Sequence, residues 1–421
     1  MDRLQVFADF DWMDSPVLIG ELGYESLRGT DSYSFKYSPD WLKKYGGIFL
    51  SADINNYTGP QYTQPGKDIF GCFADALPDR WGKTLLNRRE QITATEERRP
   101  ARRLSSYDYL TGIDDYSRIG GLRFKKTPTG SFINSDPRLC IPPLTDLRSL
   151  VQASMEFERC ELKNVMPDKR WIQQLVHPGS SLGGARPKAG VRDEDGRLYI
   201  AKFPSRNDDY DMALWEHLSH LLANAAGINA AQTRIIHAGE KYHVLLSARF
   251  DRTAAGKRVH FASALTLLGL TDGCDANTGH GYLDIADFIL QNCCDVTKNL
   301  QQLYRRIAFN IAIGNTDDHF RNHGFLLTPK GWTLSPAYDM NPTPWLHQSL
   351  LINGATNDSD LGILLESCED YMIGRADAQR IICEVMASVG RWRQLAKNLG
   401  IAQREIDRFA HIFDKPTGIS Q

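Results

Sequence analysis

The sequence predicts an α+β fold, and three observations predict it. The first third carries short segments that alternate apolar and polar residues at the period of a strand. The middle carries paired strand-like segments around one strongly periodic helix. Most of the remainder repeats its apolar residues at helical spacing. With 421 residues, the chain is long enough for two or three units that each bury a core.

The elements follow in order. Val17 to Leu22 (VLIGEL) reads as a strand, and Ser32 to Tyr37 (SYSFKY) as a second, half-buried one. PDWLKKYG and IFGCFADALPDRWGKTLLNRRE read as helical, with Pro78 forcing a new turn inside the second, which stops near Glu90 to Thr95. A polar, arginine-rich segment (Thr93 to Ser106) and a Pro/Thr/Gly loop (Lys126 to Pro143) separate this region from a helix through Leu147 to Phe157. Then come a glycine-rich loop, a strand Lys188 to Val191, a turn at Asp193 to Gly196, and a strand Leu198 to Phe203. A helix is expected from about Tyr210 to Ala226, with strands at Thr233 to Ala238 and Tyr242 to Phe250. Helical periodicity returns at Tyr282 to Gln291, Lys298 to Ile313, Asp377 to Leu399 and Gln403 to Phe413, interrupted by a hairpin at Gly324 to Leu334.

Bulk composition narrows the class. Hydrophobic residues are 42% and charged residues 24%, the balance of a globular domain. A net charge of −2 gives no general affinity for nucleic acid or membrane. Arg98, Arg99, Arg102 and Arg103, preceded by Arg88 and Arg89, form the one local basic cluster, and a solvated face is its plain reading. Eight scattered cysteines without a C-x-x-C pair suggest free thiols in a reducing cytosol. The start of the chain lacks a secretory pattern, and no run of about 18 apolar residues exists, so a cytoplasmic protein without a membrane partner is expected.

The polar residues carry more. Gly179 to Lys188 (GSSLGGARPK) has glycines that let backbone N–H groups approach phosphate oxygens, although a plain hairpin loop has the same composition. Lys202 interrupts an apolar strand, either as a snorkelling edge residue or as a charge for a phosphate. Glu216 lies among Leu214, Trp215 and Leu218 on the next helix, either on a solvated face or as the partner of that lysine. Asp317 and Asn322 give D-x-x-x-x-N, in which the Asp accepts a hydroxyl proton and the Asn oxygen binds Mg2+. Asp339 follows seventeen residues later, where a second metal-binding carboxylate belongs. Each residue alone is ordinary. Their order, from Gly-rich loop through strand Lys, helix Glu and D-x-x-x-x-N loop to Asp, is that of kinase-type phosphoryl transfer from ATP.

The chain also resembles the HipA family, serine/threonine-kinase toxins of bacterial type II toxin–antitoxin modules. SSLGGARPK, AKFP, RFDR (Arg249 to Arg252), GNTDDHFRN, SPAYDMNP and the N-terminal FADALPDRWG carry the resemblance over nearly the whole chain. It implies a protein-kinase-like two-lobed fold with an N-terminal β-rich subdomain and an all-α C-terminal lobe. The expected boundaries are 1–125 for the subdomain, 126–252 for the rest of the N-lobe and 253–421 for the C-lobe. It further implies catalysis by Asp317 with support from His319 and Arg321, Mg2+ on Asn322 and Asp339, and ATP held by Ser181, Gly183, Gly184, Ala185, Lys188, Lys202 and Glu216. Ser181, or its neighbour Ser180, matches a serine whose autophosphorylation inactivates members of the family. The implied partners are a protein substrate, an aminoacyl-tRNA synthetase in some members, and a HipB-like helix-turn-helix antitoxin with operator DNA reached through it. Where many members carry a Glu before RFDR, this chain reads LLSA.

Three other readings remain open at this level. One is a small-molecule kinase of aminoglycoside-phosphotransferase type, which shares the carboxylate logic. Another is a co-repressor module with weak catalysis. The third is a hydrolase metal site on Asp317, Asp318 and His319, which contiguous residues of one loop rarely form.

Overall fold

The structure is a computed structural model describing residues 2–64, 66–136, 141–176, 186–239, 241–343 and 347–414. Its strands are β1 (Asp2–Ala8), β2 (Val17–Leu27), β3 (Thr30–Tyr37), β4 (Gln61–Tyr62), β5 (Leu122–Lys125), β6 (Lys188–Arg192), β7 (Leu198–Lys202), β8 (Thr233–Ile236), β9 (Val244–Ala248), β10 (Phe261–Ser263), β11 (Gly324–Thr328) and β12 (Gly331–Leu334). Its helices are α1 (Pro39–Tyr45), α2 (Gly71–Ala74), α3 (Arg80–Glu96), α4 (Ser106–Gly112), α5 (Leu147–Leu162), α6 (Lys169–Val176), α7 (Met212–Ala225), α8 (Ala264–Leu267), α9 (Tyr282–Asn292), α10 (Val296–Ile313), α11 (Leu361–Glu366), α12 (Arg375–Val389), α13 (Trp392–Asn398) and α14 (Gln403–Phe413). The fold is α+β. It divides into two compact units: Met1–Asp208 with His237–Ala262, and Asp209–Ile236 with Ser263–Gln421.

The first unit holds an antiparallel sheet in the order β4-β3-β2-β1-β5. Period-two patterning builds it. Tyr33, Phe35 and Tyr37 alternate into the core at 1% exposure, and Phe35 meets Phe73 edge to face. The helical stretch after it breaks at Pro78 as expected. Asp79 then caps α3 by accepting from the Gly82 N–H at 2.7 Å. A second antiparallel run joins β6, β7 and β9. Its first turn closes on Gly196 at φ 81, a conformation that glycine adopts without a Cβ penalty.

A buried ionic rivet joins the N-terminal part of this unit to its middle. Asp251 accepts from Arg249 at 2.8 and 2.7 Å, from Arg252 at 2.7 Å and from the Gly120 N–H at 2.8 Å. Arg249 also donates to the carbonyls of Ser117 and Arg118. Burial works against the Asp251 charge, but the two arginines overcome it and hold the carboxyl well below its ordinary range. Part of the arginine cluster in and after α3 is paired within this unit. Arg99 pairs with Glu90 and Glu97, Arg102 with Glu90 and Asp108, and Arg88 with Glu161.

The second unit is mainly helical. Trp215 of α7 is fully buried against Phe409 at 4.2 Å and donates its indole N–H to the buried Glu405. This packing explains why residues 209–236, expected with the N-lobe, group with the helices instead. The helix expected over Asp377 to Leu399 is two, α12 and α13, broken at Gly390, a residue about 1 kcal/mol less favourable than alanine inside a helix. The hairpin appears as β11 and β12, with Phe325 opposite Leu334. No helix among the described residues is long and apolar enough to cross a membrane. The cysteines among them are free thiols.

Candidate active site

The site lies in the second unit, on the loop after α10. That helix ends in Gly314, whose φ of 65 reverses the chain and whose N–H returns to the Asn310 and Ile311 carbonyls. A Cβ at this position would collide with Ile412, so glycine is required on two grounds. The next residues sort by direction. Asn315, Thr316 and Asp318 are buried, Asp317 is exposed, and His319 and Asn322 are half-buried.

Asp318 anchors the loop. Its Oδ2 accepts three hydrogen bonds, from Tyr282 Oη at 2.8 Å, Asn310 Nδ2 at 2.7 Å and His323 Nε2 at 2.8 Å. Burial alone would raise its pKa, but the neighbouring His323, reinforced by the donated hydrogen bonds, holds it below the ordinary carboxylate range. Asn315 ties back to Asn310 at 3.0 Å, and Tyr338 donates to the Arg321 carbonyl at 2.6 Å. With its neighbour fixed on the inside, Asp317 projects outward from a held backbone.

Asp317 is chemically distinct from its neighbour. Partial loss of solvent around its carboxyl pushes the pKa up, His319 pulls it back, and the negative charges of Asp339 and Asp318 push it up further. A carboxylate with raised proton affinity suits a general base. Asn322 donates its side-chain N–H to the Asp317 carbonyl at 3.1 Å, which leaves the amide oxygen as the atom for a cation. Asp339 sits at φ 58, a left-handed conformation that aspartate adopts more readily than most non-glycine residues. The Nδ1 of His319 is buried without a hydrogen-bond partner among the described residues.

These residues fit a magnesium ion. Asn322 and Asp339 offer hard oxygen donors, and the crowding of Asp317, Asp318 and Asp339 leaves negative charge that a divalent cation would offset. Among the described residues no cluster of three His, Cys, Asp or Glu could hold a metal by itself. Mg2+ commonly takes only one or two protein ligands and completes its shell with phosphate and water.

The remaining expected residues fall as follows. Arg321 forms a two-bond fork with Asp272 at 2.7 and 2.9 Å and is 40% exposed, a loop support rather than a group beside Asp317. Lys202 ends β7, half-buried, directly opposite Lys188 of β6. Lys188 corrects an expectation. Its ammonium is 2% exposed and ion-pairs with Asp79 at 2.9 Å, so it is a buried structural cation rather than one presented to a phosphate. Burial pushes Asp79 up to about 6 against the pull of that lysine. Glu216 is buried on α7 in the second unit with His220 at 4.0 Å, not on a solvated face. Ser180, Ser181, Gly183, Gly184 and Ala185 lie outside the described residues. Tyr282, Asn310, His323, Asp272 and Tyr338 escaped sequence reasoning. Only Asn310, a polar residue inside the apolar run AFNIAI, carried a signal.

The profile of the HipA-like C-terminal domain matches residues 180–408, and that of the HipA N-terminal domain matches residues 13–107. The chain belongs to the HipA family. It is 24% identical over 359 residues to the serine/threonine-protein kinase toxin HipA of Shewanella oneidensis, covering 78% of this chain and 72% of that protein. It is 27% identical over 219 residues to a Haemophilus influenzae protein named provisionally as a kinase, covering 47% of this chain and 62% of that one. Among solved structures, the complex of Shewanella oneidensis HipA, HipB and operator DNA contains a chain with the same fold. The TM-score is 0.68 at 19% identity, over 98% of this chain and 95% of that one.

Proposed function

We infer that the chain is an ATP- and Mg2+-dependent serine/threonine-protein kinase of the HipA toxin type. The observation that carries this reading is the split within one loop. Asp318 is locked inside by three donors, while Asp317 stands outside with raised proton affinity, five residues before Asn322 and near Asp339. In this reading Asp317 accepts the proton of a substrate hydroxyl as its oxygen bonds to the γ-phosphorus of ATP, the bond from that phosphorus to the β–γ bridging oxygen breaks, and ADP leaves. Asn322 and Asp339 would hold Mg2+, which would offset charge on the phosphates, and Lys202 would steady those phosphates. His319 tunes Asp317, and Arg321 braces the loop through Asp272.

The substrate is a cellular protein whose phosphorylation arrests growth. An autophosphorylated Ser181 or Ser180 would add nearly two negative charges in the glycine-rich segment and switch the enzyme off. The Shewanella HipA that shares this fold was solved with HipB and operator DNA, which supports an antitoxin of that kind as partner, with operator DNA bound through the complex. The test is ATP labelling of a bacterial lysate by wild-type and Asp317→Ala protein. A protein band labelled by the wild type alone is expected, together with growth inhibition lost in Asp317→Ala while antitoxin binding persists. Equal toxicity of Asp317→Ala would refute the catalytic assignment. Transfer to small alcohols in place of proteins would move the enzyme to the aminoglycoside-kinase class.

A further inference from the structure

The N-terminal motif FADALPDRWG takes no part in the chemistry above, yet two of its residues reach the strand that follows the glycine-rich segment. Asp79 binds the Lys188 ammonium at 2.9 Å, and the Trp81 indole N–H donates to the Lys188 carbonyl at 3.1 Å. Both contacts are buried. Asp79 and Lys188 side chains are 4% and 2% exposed, and Trp81 is 5% exposed. The two residues before Lys188 are held as well. Arg186 forks onto Asp208 at 2.8 and 2.6 Å, and the Pro187 carbonyl accepts from the Phe203 N–H at 2.9 Å. Three consecutive residues are thus each held by side chain or backbone. In addition, Lys188 lies directly opposite Lys202 in the β6–β7 ladder, so the two ammonium groups rise from one face of the sheet. Like charges so placed repel, and the Asp79 carboxylate offsets the charge of one of them, Lys188.

The geometry points to Asp79 and Trp81 as positioning residues for nucleotide binding. By clamping Lys188, the N-terminal subdomain steadies the start of β6, whose ladder with β7 carries Lys202 directly opposite. The subdomain is then part of the ATP site's scaffold rather than an appendage. This inference rests on the kinase reading of Lys202 and deepens it.

Equilibrium binding of the fluorescent nucleotide mant-ATP with Mg2+ tests it on the full chain. Trp81→Phe keeps the ring that packs edge to face on Phe157 and removes only the N–H. Asp79→Asn keeps a cap acceptor for Gly82 and removes the charge. Each is expected to weaken mant-ATP binding about fivefold, the loss of one buried hydrogen bond transmitted to the site. Glu161→Gln serves as the control, because it releases Arg88 on the same helix α3 without touching Lys188. It is expected to lower the melting temperature while leaving the mant-ATP affinity unchanged. Wild-type affinity in Trp81→Phe, whatever its melting temperature, would overturn the inference and leave the kinase reading intact. Failure of the wild type itself to bind mant-ATP would overturn both.

Discussion

Two buried aspartates, one in each unit, do opposite jobs with the same functional group. Asp251 is surrounded by permanent cations: Arg249 and Arg252 supply three of its four hydrogen bonds and a backbone N–H the fourth. Asp318 draws its three from a tyrosine, an asparagine and a histidine, all onto one oxygen. The first arrangement rests on permanent charge, since both arginines stay protonated and one of them forks onto the carboxylate with two parallel bonds. It holds the RFDR segment to residues 117–120 and serves as a rivet. The second is directional, since each donor reaches Oδ2 along its own line. It fixes how the backbone beside Asp318 turns, and therefore where Asp317 points. Charge serves attachment in one unit, and in the other it fixes the direction of a loop.

The largest expected effect breaks the rivet. Asp251→Ala leaves Arg249 and Arg252 buried without their counter-ion, and losing one partner of a buried pair costs about 3–5 kcal/mol. Chemical denaturation of the purified variant should show that loss at neutral pH. The folded Asp251 titrates below its unfolded value, so its contribution is present above about pH 4 and fades only as the pH falls below that. A variant that matched the wild type near neutrality would show that the arginines find other acceptors.

The next expected effect separates orientation from attachment. Asp318→Asn keeps the shape of the side chain and one carbonyl oxygen, but removes the charge that Tyr282, Asn310 and His323 share. Hydrogen bonds to a charged acceptor contribute about 1.5–3 kcal/mol, so a stability loss near 2 kcal/mol is expected. Turnover should fall further than that loss implies, because small misplacement of a catalytic group can slow a reaction about 100-fold. Steady-state kinetics should place the change in kcat, with KM for ATP close to that of the wild type. A change confined to KM would mean that Asp318 shapes nucleotide binding instead of aiming Asp317.

Much of this was legible in the sequence because the physics was local. Strand alternation in SYSFKY, the helix restart after Pro78 and the D-x-x-x-x-N spacing are patterns of neighbours, and each appears where neighbours alone would put it. What escaped was set by distance along the chain. Tyr282 meets Asp318 across 36 residues and Trp81 meets Lys188 across 107, and no local pattern marks either pair. Lys188 was misjudged for the same reason. A lysine after a glycine-rich loop looks like a phosphate ligand until Asp79, 109 residues away, buries it in an ion pair. The helix expected through Asp377 to Leu399 failed differently. Its apolar period continues past Gly390, and periodicity does not register that the backbone stops.

The smallest expected effect sharpens the comparison by holding geometry constant. Arg321 grips Asp272 with the same two-bond fork that Arg249 uses on Asp251, at 2.7 and 2.9 Å against 2.8 and 2.7 Å. The fork lengths match while the surroundings differ: side-chain exposures are 40% and 76% in the first pair and 1% and 3% in the second, where Asp251 also accepts from Arg252 and the Gly120 N–H. Water screens the exposed pair and already solvates each ion, so exposed pairs contribute only about 0.2–1 kcal/mol. Asp272→Asn should therefore shift the denaturation midpoint by little and leave turnover within about twofold of the wild type. Raising the salt concentration should shrink even that difference, because exposed charges are screened within about 10 Å at 0.1 M ionic strength. A loss as large as that of Asp251→Ala would mean that the fork itself, and not its burial, sets the strength of these pairs.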